Sequence, residues 1–134
     1  VTPTVEINGE TYTVELVQVD NESDPAKAIT AAESLVSEGV SMVLGTYGSA
    51  CAIAAGPTFD NAGVPAMGVT CTNPQVTAAK NYFRMCFLDP FQGTVLANYA
   101  WEHGSTKAYC LSNKVIELSY LGGWVERGVL RHPC

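Results

Sequence analysis

The chain has 134 residues, a length that suits one domain able to bury about two-thirds of its unfolded surface. At 47% hydrophobic and 15% charged it is not intrinsically disordered, and its charge-free stretch 40–59 is broken by Gly, Ser, Thr and Pro, unlike a membrane span of about 20 apolar residues. Seven Lys and Arg against thirteen Asp and Glu give a formal net charge of −6, the wrong sign for a nucleic-acid-binding surface or an anionic lipid surface.

Taken in chain order, the elements alternate. Asn8-Gly9 is a turn signal, and residues 11–20 (TYTVELVQVD), rich in β-branched and aromatic side chains, are expected to form a strand. Asp24 and Pro25 supply a cap and a first helical position. Ala28, Ile29, Ala32, Leu35 and Val36 then recur at three-to-four-residue spacing up to Gly39, which predicts an amphipathic helix. Residues 40–45 read as a short apolar strand, 49–62 as an Ala-rich helix and 64–69 as another apolar strand after a stop at Gly63. A helical turn over 73–80, a strand over 82–87 and a helix over 90–104 follow. A strand over 107–111 and the start of a helix over 120–127 complete the pattern. Strands separated by helices imply an α/β fold with a doubly wound, mostly parallel sheet and helices on both faces.

Eight of the thirteen acids precede residue 40 with only Lys27 to balance them, which reads as a solvated acidic face. The five cysteines are an odd number and none lies within four residues of another. Zinc-finger and redox-pair spacings are therefore missing, and these thiols read mainly as small buried hydrophobes. The chain opens at Val1 without an initiator Met, and compartment is not legible at its termini.

Open α/β sheets bind ligands beyond the carboxyl ends of their strands. Two loops stand there. In the first, Gly45-Thr46-Tyr47-Gly48-Ser49, Ser49 is expected to cap the following helix, so that its hydroxyl and the first-turn amides form a receptor for a carboxylate or phosphate. In the second, Thr70-Cys71-Thr72-Asn73-Pro74, hydroxyls and carbonyls are expected to face the same crevice. Enzyme signatures are missing: there is no dinucleotide-binding or phosphate-binding glycine loop, and Ser49 stands in Gly-Ser-Ala-Cys rather than a nucleophile elbow. His103 reads as a last-turn helix residue and Arg84 as a structural ion pair. Binding without catalysis is the expectation, with no cofactor.

The ordered set of motifs resembles a known family. Ile7-Asn8-Gly9, the strand VELVQVD, Asp24-Pro25-Ala26-Lys27-Ala28, the strand VSMVLG, Thr46-Tyr47-Gly48-Ser49 and Val64-Pro65-Ala66-Met67 come first. Thr72-Asn73-Pro74, Phe83-Arg84 and Asp89 with Gln92-Gly93 follow. Their order and spacing are similar to those of branched-chain amino-acid-binding proteins, the type I periplasmic binding proteins that serve ABC transporters as extracytoplasmic receptors. The resemblance implies an amino acid clamped between two lobes, a membrane permease as partner, and a periplasmic or extracellular location.

By position, the resemblance implies that Ser49 holds the ligand carboxylate and that Thr72 bonds its ammonium or carboxylate. The Thr70 carbonyl would accept from the ammonium, and Tyr47, Gly48 and Cys71 would line the wall. Tyr120 with Gly123 matches a Tyr–Gly pair near the crevice. Residues 1–114 are expected to be part of the amino-terminal lobe, with 115–134 a weakly matching tail. Some members carry a disulfide whose cysteines would stand at Ser23 and Gly48, so that bridge is not expected here. The family's first strand has no counterpart before Val1, which implies unpaired strand edges and self-association. A ligand-sensing domain of a receptor or amide-responsive regulator stays open as the alternative, with a small α/β enzyme third.

Overall fold

The computed structural model describes residues 3–107. Asn8 and Gly9 both take positive φ, 53° and 84°, the backbone of a tight hairpin turn that matches the right-handed twist of its strands. They join β1 (Thr4–Ile7) to β2 (Glu10–Thr13) in antiparallel register, Thr4 opposite Thr13 and Ile7 opposite Glu10. The single strand expected over 11–20 is therefore split. Residues 11–13 belong to the hairpin, which the Val14 amide extends by one bond to the Pro3 carbonyl at 2.8 Å, whereas 15–20 have no strand partner among the described residues and leave Leu16 75% exposed. β-branched side chains favour an extended backbone, but a strand also needs a neighbour to take its amides and carbonyls.

α1 (Pro25–Ser37) starts as its sequence predicts: Asp24 Oδ1 accepts from the amides of Ala26 at 2.7 Å and Lys27 at 3.1 Å. Ala28 and Ala32 form its buried stripe and pack on α2 (Ser49–Ala62). On α2, Cys51, Ala52, Ala55 and Phe59 face the core, so small side chains let the two helices approach closely. α2 continues through Pro57, which lies on its exposed side. Lys27 pairs with Glu22 on the exposed acidic face, a contact of little energetic weight.

β3 (Val43–Leu44), β4 (Ala66–Gly68) and β5 (Tyr82–Arg84) make a parallel sheet in that order. Val43 is level with Ala66, and Ala66 with Tyr82. The α/β class is as expected. β3 is shorter than the predicted 40–45 because β4 is its one neighbour among the described residues; Leu44 is 71% exposed. A 3-10 turn (Pro74–Ala78) leads into β5, and Val76 from it closes the core. α3 (Asp89–Glu102) buries Asp89, Gly93 and Ala97, four residues apart, and exposes Phe91, Val95, Leu96 and Tyr99. His103 ends it, with its ring stacked on Tyr99 and Nδ1 2.8 Å from the Tyr99 carbonyl. The elements expected over 107–111 and 120–127 lie outside the described residues, apart from Lys107.

Candidate functional site

The two strand-end loops meet. Thr70 Oγ1 donates to the Tyr47 carbonyl at 2.5 Å, Cys71 Sγ donates to the Thr46 carbonyl at 3.2 Å, and the Asn73 amide donates to Ser49 Oγ at 3.2 Å. Three bonds between residues more than twenty apart in sequence make one shelf at the carboxyl ends of β3 and β4.

Ser49 is not the cap of α2. Gly48 takes the extended cap conformation (φ −97°, ψ 139°) and Ser49 is the first helical residue. Its hydroxyl, fully buried, accepts from Asn73 instead, because a side chain one position inside the helix points away from its own first-turn amides. Gly48 has no side chain with which to cap α2, and the partial positive charge of the helix's amino end favours an anion from outside.

The remaining site residues divide by exposure. Tyr47 is 84% exposed, Thr70 is exposed, and Gly48 and Thr72 are half-buried. Cys71, expected in the wall, is instead fully buried and turned toward Thr46. The Thr72 carbonyl accepts from the Asp89 amide at 3.0 Å, while its hydroxyl makes no hydrogen bond among the described residues. The Thr70 carbonyl is likewise unpartnered, its side chain being the part that binds Tyr47. Tyr120 lies outside the described residues.

β5 anchors both loops. Tyr82 and Arg84, two residues apart, share one face of the strand. Arg84 forms no ion pair among the described residues. Its Nη1 donates to the carbonyls of Cys71 at 3.1 Å and Asn73 at 2.8 Å, and its Nη2 to the Pro74 carbonyl at 3.2 Å and Thr77 Oγ1 at 2.8 Å. The guanidinium is a clamp on the second loop. The Tyr82 hydroxyl donates to the Gly45 carbonyl at 2.9 Å and accepts from the Thr46 amide at 3.2 Å. Burial, reinforced by the nearby Cys71 thiol, pushes this phenol up to about 12. Asp60 fixes the entry to β5, accepting from the amides of Lys80 at 2.8 Å and Asn81 at 2.7 Å. Sequence reasoning missed Tyr82, Asn73 and Asp60 as loop anchors. The available signal was a phenol in a buried strand, which must find a polar partner.

Two hollows lie away from this shelf. One, of about 200 Å³, is lined by Phe87, Phe91, Gln92, Val95 and Leu96 on α3; the other borders α1.

A parallel sheet with helices packed on it and polar loops gathered at its strand ends gives the chain the architecture of an α/β lobe. More narrowly, the chain belongs to the periplasmic binding protein family, whose profile matches residues 4–117. It is 34% identical over 99 residues to Leu/Ile/Val-binding protein homolog 1 of Brucella abortus, covering 72% of this chain and 26% of that relative. Among solved structures, it is similar to the branched-chain amino acid transporter substrate-binding protein LivJ of Streptococcus pneumoniae, in complex with isoleucine. That likeness has a TM-score of 0.66 and 33% identity, over 72% of this chain and 28% of LivJ. The leucine-binding protein LivK of Thermotoga maritima aligns with a TM-score of 0.72 and 31% identity, over 87% of this chain and 36% of LivK. The chain thus spans about a quarter of the length of the curated relatives it matches.

Proposed function

We propose that this chain forms the ligand-binding shelf of an extracytoplasmic solute-binding protein that takes a small amino acid, of branched-chain type, for an ABC-transporter permease. Its role in this reading is binding without catalysis. One observation carries the reading: the Thr72 hydroxyl and the Thr70 carbonyl, without a hydrogen-bond partner among the described residues, stand in a loop bonded directly to the amino end of α2. A zwitterion needs donors for its carboxylate and acceptors for its ammonium within a few ångströms of each other.

In the proposed complex the α2 end, with Ser49, receives the carboxylate. Thr72 Oγ1 and the Thr70 carbonyl receive the ammonium. Tyr47 and Gly48 flank the side chain. Cys71 supports the floor from beneath. The leucine, isoleucine and valine named for relatives support the ligand class.

Calorimetry with isoleucine on the wild type and on Thr72→Val tests this. Loss of one hydrogen bond to a charged group should weaken binding by about ten- to a hundredfold, or roughly 1.5–3 kcal/mol. Equal affinity in the two proteins would refute the assignment of Thr72.

A further inference from the structure

We propose that Tyr82 is a positioning residue for the amino-acid shelf: its ring spans β4 and its hydroxyl fixes the peptide that opens the Gly45–Ser49 loop. This rests on the proposed function, since it concerns how that shelf is held.

Tyr82 stands on β5, yet the peptide it binds follows β3, on the far side of β4. The ring must therefore cross the middle strand. At the crossing, β4 carries Gly68. A Cβ on that residue would lie 3.3 Å from Tyr82 Cε1 and 3.1 Å from both Cβ and Sγ of Cys71. The missing side chain is the space through which the ring passes. On the helix side the ring meets Phe59, with centroids 6.2 Å apart and planes tilted by 57°. Only 2% of Tyr82 is exposed, so its lateral position is set by packing on both sides.

The hydroxyl then acts at a single peptide. It donates to the carbonyl of Gly45 and accepts from the amide of Thr46, using the phenol's donor and acceptor together on the two ends of one peptide unit. That peptide immediately precedes Tyr47, Gly48 and Ser49. Thr46 Oγ1 carries the constraint onward by donating to the Gly48 carbonyl at 2.8 Å, the residue that caps α2. Ring length sets the height of the loop above the sheet, and the hydroxyl sets its orientation. Removing the hydroxyl leaves a carbonyl and an amide without their partner just where the shelf begins.

The test uses the full chain, with amide hydrogen exchange and isoleucine titration on the wild type, Tyr82→Phe and Gly68→Ala. Tyr82→Phe keeps the ring and deletes the two bonds; Gly68→Ala keeps the hydroxyl and displaces the ring. In either variant the Thr46 amide should exchange about tenfold faster or more, with α1 amides unchanged, and isoleucine affinity should fall by about tenfold. Unchanged protection at Thr46, or a uniform rise across the molecule, would overturn the proposal. So would faster exchange at Thr46 with affinity intact, since that describes a purely structural tyrosine. If Tyr82→Phe does not fold, Gly68→Ala decides by the same readings. If the wild type binds no amino acid, the proposed function fails, and the Thr46 exchange rate alone decides whether Tyr82 positions the loop.

Discussion

Ser49 and Thr72 belong to the same shelf but stand in opposite relations to the fold. The Thr72 hydroxyl bonds nothing among the described residues, so Thr72→Val should change stability by no more than about 0.5 kcal/mol while weakening ligand binding. Ser49→Ala should do the reverse first: it strands the buried Asn73 amide and should cost about 1–3 kcal/mol, read as a melting temperature several degrees lower. Equal melting temperatures for the two variants would contradict this division.

Tyr82 adds a pH signature. Its folded-state value of about 12 lies above the reference of about 10, so the unfolded chain loses this proton first as pH rises. Its contribution is complete below about pH 10 and is lost as pH climbs from about 10 through 12, at most about 2–3 kcal/mol. Chemical denaturation should show a steeper alkaline loss for the wild type than for Tyr82→Phe. Parallel pH profiles would contradict the burial argument. At this scale the sequence exposes Ser49 and Thr72 because strand-end loops follow from the alternation of elements. The one-residue error at the α2 cap arises because Gly48 and Ser49 are both acceptable caps. The partner that decides between them, Asn73, is 24 residues away.

Helices and strands differ in how far local sequence determines them. α1 is legible from Asp24-Pro25 and its apolar spacing, and the bounds of α2 coincide with the expected 49–62, since capping and periodicity act within a few residues. The 15–20 segment is not legible in the same way. Its composition dictates an extended chain, but membership of a sheet depends on a neighbour that local composition does not specify. The 3-10 turn and the loop before it depend likewise on Arg84, which neither composition nor spacing connects to three carbonyls upstream. Arg84→Lys keeps the charge but replaces a planar fork by a point charge. The second loop should lose amide protection over 71–77, with stability reduced by about 1–3 kcal/mol. Exchange rates unchanged over that segment would show that the loop holds itself.

For the whole molecule, the apolar-rich segment 15–20 and the outer side of β3 have no strand partners among the described residues, and Leu16, Val19 and Leu44 are exposed there. Such edges recruit strands, and exchange between identical copies satisfies them at little cost. Light scattering over a concentration series should show the mean mass rising above that of one chain; a constant monomer mass from micromolar to millimolar concentration would contradict it.

Tyr47 and Thr70 are exposed at the shelf, so a ligand resting on it is held from one side by the described residues. Affinity at millimolar level, about −4 kcal/mol, is what such a surface supports. The most direct test is a nitrogen-15 NMR titration of the chain with isoleucine. Saturable shifts at millimolar ligand, confined to the amides of 46–51 and 70–73, are the predicted result. Amides there that stay unmoved at tens of millimolar, or shifts that gather instead around the α3 groove at Phe87 and Phe91, would contradict it.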